Sequence, residues 1–348
     1  MTEVSASDHV AQSPSGSTSR RSRGGAEVPP RVSIVLPTYR RGAMLRRALD
    51  TVMEQTLRDW ELIVVDDNGA GHAFQRETET LLERFRDDER IVYVVHEHNR
   101  GGGAARNTGI GQARAEYVAF LDDDDAWYPD KLERQLACFD QAPADVALVY
   151  GGFRVISRRG PAGVVMPDPE GHTVSALLQR NTVGTTSLVM CRRSALEAIG
   201  GFDPQLRSRQ DVDLFVRLAQ RYRFAYVDAP LLDKHEHEEY AIGKDKDGAV
   251  DAYRRFYAKY RDAYDGDAPA HHAFLRRYGE EALRAGRTHE ARRLLRSAWR
   301  LQPRSWRTLL LALVSYRPVL AAYRSVRERL GLRQRVPVTP PEEPLESS

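Results

Sequence analysis

Four consecutive aspartates, Asp122 to Asp125, follow directly on the apolar run Tyr117–Leu121. An apolar run of that length reads as a buried strand. A strand that ends in clustered carboxylates delivers them to the crevice at the carboxyl end of a sheet, where open α/β folds bind ligands. Like charges side by side repel, so the cluster calls for a compensating partner. Hard divalent cations such as Mg²⁺ or Mn²⁺ favour carboxylate ligands, and Mg²⁺ is usually held by one or two of them plus phosphate oxygens. The competing reading is a solvated acidic turn that caps the following helix.

The segments before this run repeat its logic. Glu61–Asp67 reads ELIVVDD, a second apolar strand that ends in a carboxylate pair, and Val32–Tyr39 reads VSIVLPTY, a strand expected to stop at Pro37. Between them, Met44, Leu45, Ala48, Leu49 and Val52 mark one face of an amphipathic helix within Arg40–Thr56. Ile91–Val95 is a further strand, and Asn99–Ala115 a helix entered through Gly101, Gly102 and Gly103. This alternation predicts an α/β fold, a mostly parallel sheet with helices on both faces, in which two acidic strand ends meet at one edge.

Four segments carry a resemblance: VSIVLPTYRR, QTLRDWELIVVDDNG, NRGGGAARNTGI and AEYVAFLDDDDAWYPDKL. In this order and spacing they resemble the family 2 inverting glycosyltransferases of the GT-A, Rossmann-like fold. The resemblance spans about Val32 to Tyr240 and says nothing of which sugar is moved. It implies a nucleotide-diphosphate sugar donor, UDP-linked, a divalent metal (Mn²⁺ or Mg²⁺), and a glycan or lipid-linked acceptor. It also implies roles for residues. Pro37, Thr38 and Tyr39 would hold the base and ribose, with Asp67, or Asp66 beside it, accepting a hydrogen bond from the base. Arg106 would meet the diphosphate at a helix entry that favours anions. Asp122 and Asp124 match the family's DxD motif. Asp124 is the expected direct metal ligand, and Asp122 a ligand or a contact to ribose or metal-bound water; Asp123 and Asp125 remain alternatives because the run permits a shift of one.

An inverting transfer needs a carboxylate to take the proton from the attacking hydroxyl. Arg209–Leu218 reads RQDVDLFVRL, similar to the family's base-bearing helix, and Asp211 falls at the base position. Gln210 departs from the acidic residue usual before it, Asp213 is the neighbouring competitor, and a first-turn acid that only offsets the helix dipole is the plain alternative. Thr185–Cys191 is expected as a strand, and Gly200–Asp203 resembles an acceptor-side loop. In PLLDKHEHEEY, His237 rather than His235 matches a histidine that the family places near metal or diphosphate. The cluster lacks the histidine pair or cysteines of common zinc sites.

Outside 31–240, expected to be the catalytic domain, the chain changes character. Residues 1–30 are rich in Ser, Gly, Pro and Arg, lack the apolar core of a secretory signal, and read as a disordered tail; 336–348 read likewise. Two cysteines, Cys138 and Cys191, suit a reducing interior and a cytoplasmic location. The region 241–335 is expected to be helical and basic: residues 271–335 hold 16 Arg, no Lys and 4 Glu. GRTHEARRLLRSAWRLQP resembles one arm of a single tetratricopeptide-type hairpin, which packs on the catalytic domain because one unit is not an array. Within Trp306–Val326 the longest uncharged run, Thr308–Tyr316, is 9 residues, too short to span a bilayer, which takes about 20. Its basic and aromatic flanks suit either a core helix pair or a peripheral contact with an anionic membrane surface. Nucleic-acid binding is not expected, since no recognised module is present. A nucleotidyltransferase is disfavoured because PTYRRGA follows the first strand where a basic, Gly-rich signature would stand. A binding protein without catalysis is disfavoured by the intact Asp122, Asp124 and Asp211.

Overall fold

The computed structural model describes residues 29–157, 160–235 and 246–315 of the 348-residue chain. His237, both tails and the distal part of Trp306–Val326 lie outside the described residues. The first half runs β1 (Val32–Thr38), α1 (Gly42–Met53), β2 (Trp60–Asp66), α2 (Ala73–Leu82), β3 (Ile91–Val95), α3 (Gly102–Gln112) and β4 (Tyr117–Phe120). There follow β5 (Asp125–Trp127), α4 (Lys131–Gln141), β6 (Val146–Ser157), β7 (Gly160–Val165), α5 (Val174–Gln179), β8 (Met190–Arg192), α6 (Arg193–Ala198), α7 (Gln210–Ala219) and β9 (Arg223–His235). The chain then continues through α8 (Lys246–Lys259), α9 (Arg261–Asp265), α10 (Ala268–Arg284), α11 (Thr288–Leu301) and α12 (Trp306–Val314).

The strands form one sheet in the order β3-β2-β1-β4-β8-β6-β9-β5, with β7 hanging on β6. β3, β2, β1 and β4 are parallel neighbours, as the alternation of strands and helices predicts. Beyond β4 the sheet becomes mixed, because β8 pairs antiparallel with both β4 and β6. Two-residue periodicity sorts the side chains. Ile34 and Leu36 enter one core with Leu45, Ala48, Leu49 and Val52 of α1, while Val35 enters the other with Ala105 and Ile110 of α3. Each such aliphatic side chain contributes roughly 1.5–3 kcal/mol on full burial. Gly109 lets α3 lie close on β1, since a Cβ there would run into Val35.

Two expected boundaries shift. β1 continues through Pro37 to Thr38, with Pro37 opposite Val65 of β2. The missing N–H of Pro37 faces the β4 side, and the β4 ladder has already ended at Val35–Phe120, so no bond is lost. Thr185–Cys191 is a strand only from Met190. A 3-10 turn, Thr186–Leu188, precedes it, because the Thr185 hydroxyl caps the Ser187 N–H and bends the chain.

The C-terminal helices share a core with the sheet. Phe256, Tyr260, Tyr264, Phe274, Leu295 and Ala298 belong to the same buried cluster as Val35 and Phe215. Tyr264 donates to the Leu178 carbonyl (3.2 Å) and Tyr260 to the Asp213 carboxylate (2.7 Å). α10 and α11 form the expected hairpin, with Gly279 against Leu295. Arg209 extends this contact to the start of α7. It takes a left-handed backbone (φ 63°), and its guanidinium lies 4.5, 4.6 and 5.4 Å from the ring centroids of Tyr253, Phe256 and Phe274. Cation–π contacts contribute about 0.5–2 kcal/mol each, whereas a left-handed non-glycine residue costs about 1–2 kcal/mol. Arg209→Ala should therefore destabilise by roughly 2–3 kcal/mol. Arg209→Gly should be milder by about 0.5–1 kcal/mol, once glycine's extra freedom in the unfolded chain is allowed for. Urea denaturation of both variants checks this; a glycine variant less stable than the alanine variant would contradict it.

Candidate active site

The carboxyl ends of the parallel neighbours β2, β1 and β4 lie side by side, and the aspartate run follows directly on β4. Asp122 accepts from Arg106 of α3 and from the Thr186 hydroxyl (3.0 and 3.1 Å), while its N–H donates to the Ser187 hydroxyl (3.0 Å). Burial by itself would raise the Asp122 carboxyl, but Arg106 and Thr186 outweigh it and hold the group below the usual carboxylate range. Asp123 is nearly inaccessible and accepts from the Thr38 hydroxyl (2.9 Å), the Tyr39 N–H (3.3 Å) and Arg41 (3.0 Å). Burial pushes it up to about 6 despite Arg41. Asp124 meets the same Arg41 nitrogen at 2.5 Å. Asp125 is buried on β5, and burial, with Asp122 and Asp124 nearby, pushes it up to about 7.

One carboxylate oxygen from each of Asp122, Asp124 and Asp125 lies within 4.8 Å of the others. This hard, all-oxygen, crowded donor set fits a divalent cation, whose charge would offset the burial and the like-charge repulsion that raise Asp125. Stability should report these raised carboxyls. Asp123 and Asp125 keep their protons to higher pH in the folded protein than in the unfolded chain. Their contribution is thus fully present below about pH 4 and lost as pH rises to about 7. Asp125→Asn removes one titrating group at nearly constant shape. In a chelator, its melting temperature relative to wild type should rise from pH 5 to pH 8, by a few degrees at the upper end. Parallel pH profiles for the two proteins would contradict the assignment.

Both β2 carboxylates are held by neighbouring donors. Asp67 is 2% exposed, and both its oxygens are in use. One takes His96 Nδ1 (2.7 Å) and the Arg100 N–H (2.8 Å); the other takes Asn99 Nδ2 (2.9 Å) and the Gly101 N–H (2.8 Å). Four donors fill a carboxylate's acceptor capacity. Asp67 therefore holds the loop that leads into α3. Asp66 is likewise enclosed, bound by the Asn68 N–H (2.9 Å) and the Tyr93 hydroxyl (2.8 Å). Of the β1-end residues, Pro37 lies in the sheet, the Thr38 hydroxyl is committed to Asp123, and Tyr39 is 39% exposed. Tyr39 thus offers an open ring, with the Arg40 guanidinium 4.8 Å from its centroid.

Helix α7 begins with Gln210 and Asp211. Asp211 is partly exposed, accepts from Asn181 Nδ2 (2.8 Å), and is raised above the ordinary aspartate value, chiefly by burial. Gln210 bridges to the aspartate run by accepting from Arg106 (3.4 Å), which itself holds Asp122. Asp213 is fully buried among Arg217, Lys259 and Tyr260 (2.7–2.8 Å), a structural knot between α7 and α8. The loop after Gly200 is fixed on α3: Asn107 accepts from the Phe202 N–H (2.7 Å) and donates to the Phe202 carbonyl (2.8 Å).

Three contributors were not anticipated from the sequence. Arg41 clamps Asp123 and Asp124, and Asn181 holds Asp211. Lys234 stands opposite Asp125 in the β5–β9 ladder; its charge helps hold Asp122 low and offsets a small part of the burial that raises Asp125 and Asp211. The Lys234 alignment is visible only once β5 is known to pair with β9.

The profile of Glycosyl transferase family 2 matches residues 33–200, which holds the aspartate run and the Arg106 entry. TuaG of Bacillus subtilis (strain 168), named as a candidate teichuronic acid biosynthesis glycosyltransferase, is 31% identical over 200 residues, covering 57% of this chain and 75% of that protein. WfgD of Escherichia coli, named as a UDP-Glc:alpha-D-GlcNAc-diphosphoundecaprenol beta-1,3-glucosyltransferase, is 30% identical over 161 residues, 46% of this chain and 60% of that protein. Among solved structures, S. aureus TarS 1-349 in complex with UDP-GlcNAc superposes with a TM-score of 0.60 at 18% identity, covering 88% of this chain and 93% of that one. The mannosyltransferase PcManGT from Pyrobaculum calidifontis, in complex with GDP-Man and Mn²⁺, does so with a TM-score of 0.53 at 19% identity, covering 88% and 89%. These structural likenesses establish a shared GT-A fold, and with the sequence relationship to TuaG they lead to one conclusion: the chain belongs to glycosyl transferase family 2.

Proposed function

We propose that this glycosyltransferase moves a sugar from a UDP-linked donor, with inversion and on a divalent cation, to a hydroxyl of a lipid-linked or polysaccharide acceptor. The observation that carries the proposal is the convergence of Asp122, Asp124 and Asp125 within 4.8 Å, joined through Arg106 and Gln210 to the start of α7, where Asp211 stands. WfgD is named for a UDP-sugar donor and a lipid-diphosphate acceptor, and TuaG for a polysaccharide.

In this reading Asp122, Asp124 and Asp125 hold the cation, which when bound neutralises the charge developing on the leaving diphosphate. Arg106, on the second turn of α3, pairs with phosphate oxygens, and Lys234 adds positive charge from β9. Arg41 is paired with the Asp124 carboxylate, so cation loading at Asp124 competes with that ion pair. Tyr39 lies under the base, while Asp66 and Asp67 shape the floor behind it. Asp211 accepts the proton of the acceptor hydroxyl, and its raised affinity for a proton suits that task.

A thermal-shift series with UDP-, GDP- and dTDP-sugars, with and without Mn²⁺, tests the donor class. A ligand at one hundred times its dissociation constant stabilises by about 2.7 kcal/mol. The expected result is a Mn²⁺-dependent rise with UDP-sugars. A rise with GDP-sugars alone would overturn the UDP assignment, and no rise with any donor would overturn the site.

A further inference from the structure

The end of the molecule formed by α11 and α12 carries no role in the site described above. Between Ala291 and Ser315 the chain holds six arginines and no acidic residue. Arg300, Arg304 and Arg307 are exposed, and they alternate with exposed apolar residues: Trp299, Leu301 and Trp306, the last 68% exposed. On α12, Trp306, Leu309, Leu310 and Leu313 follow the spacing of one helix face, and all are exposed (42–68%). The opposite face is anchored: Thr308 is buried against His272 (3.0 Å), and Leu311 packs on the core. The outward direction of the apolar face is therefore set by the fold. The described part of α12 is 9 residues, and among the described residues no helix is long and apolar enough to cross a membrane.

From this juxtaposition of the exposed Arg300, Arg304 and Arg307 with an outward Trp/Leu face, we propose that the α11–α12 end binds the surface of an anionic lipid bilayer. The basic residues meet the lipid headgroups, while Trp306 and the α12 leucines enter the boundary between headgroups and acyl chains. The occupant is argued from charge complementarity. A second copy of this chain would set arginine against arginine across a two-fold contact, and a nucleic acid would leave the leucine face in water. Anionic lipid satisfies both halves of the surface. One consequence, that this docking presents the site to a lipid-linked acceptor, rests on the function proposed above; binding to lipid does not.

The test is flotation of the full-length protein with vesicles of phosphatidylglycerol and phosphatidylcholine, or of phosphatidylcholine alone, at about 0.05 M and about 0.5 M salt. The protein should float with the anionic vesicles at low salt, less at high salt, and not with neutral ones. The double charge reversal Arg300→Glu/Arg304→Glu should lower the partition roughly 30-fold or more. The pair Trp306→Ser/Leu310→Ser should lower it at both salt concentrations. Unchanged thermal melting and an unchanged response to donor sugars show that the variants are folded, and they keep the donor site separate from this result. Failure of the wild type to float, or equal flotation of both variants, would overturn the proposal. So would a shift to dimer, or retardation of RNA, without vesicle binding.

Discussion

Asp124→Ala is expected to remove metal-dependent transfer, with a loss of about 10³-fold or more in kcat/KM. A cation that stabilises the leaving group supplies several kcal/mol, and each 1.36 kcal/mol is tenfold in rate. The fold should survive. Asp124 is only partly buried (side chain 25% exposed), its side chain meets Arg41, and Arg41 keeps Asp123 when Asp124 is gone. The Arg47 contact goes to the Asp124 carbonyl and is untouched by the substitution. Asp122→Ala makes a poorer test, because it would also strip Arg106 and Thr186 of their acceptor. Turnover with Mn²⁺ and the Mn²⁺-dependent part of donor binding are the two readouts. Near-wild-type turnover in Asp124→Ala would remove it from the metal site.

Asp211→Asn should cost about 10²–10⁴ in kcat while donor affinity stays close to wild type. The substitution preserves size, and the Asn181 amide can still donate to the new carbonyl oxygen. What disappears is the proton acceptor. The pH dependence follows from the direction of the shift. A base at Asp211 would work only when ionised, and its folded value is raised, so under the proposed role activity should fall as pH drops through a value above the ordinary aspartate range. The same acidic limb should be absent from the residual activity of Asp211→Asn. If the variant instead loses donor affinity and keeps its rate, Asp211 is a donor contact or a structural residue.

The parallel half of the sheet is legible in the sequence because period and length act locally there. The apolar runs that end in Thr38, Asp66 and Asp122 are buried strands, and the α1 face read from Leu45 to Val52 is the face that packs. The aspartate run is legible for the same reason, since a strand end sets where its next residues stand. The network around Asp67 was not, because it depends on donors about 30 residues away: four groups between His96 and Gly101 converge on it. Thr185 to Ser187 read as strand by composition, but their hydroxyls turn the chain and bind Asp122, a contact across more than 60 residues. Arg41 is one of several arginines around α1 in the sequence; only the crossing of the α1 entry with the aspartate run distinguishes it. Arg209 is hidden in the same way, because its ring cage comes from α8 and α10.

Release of UDP by the full-length protein from UDP-sugars, measured with Mn²⁺ and again in a chelator, tests the proposed reaction most directly. With at least one UDP-sugar, release should be measurable with Mn²⁺, fall to background in the chelator, and fall to background in Asp124→Ala. Release that persists in the chelator and in Asp124→Ala would contradict a cation held by the aspartate run.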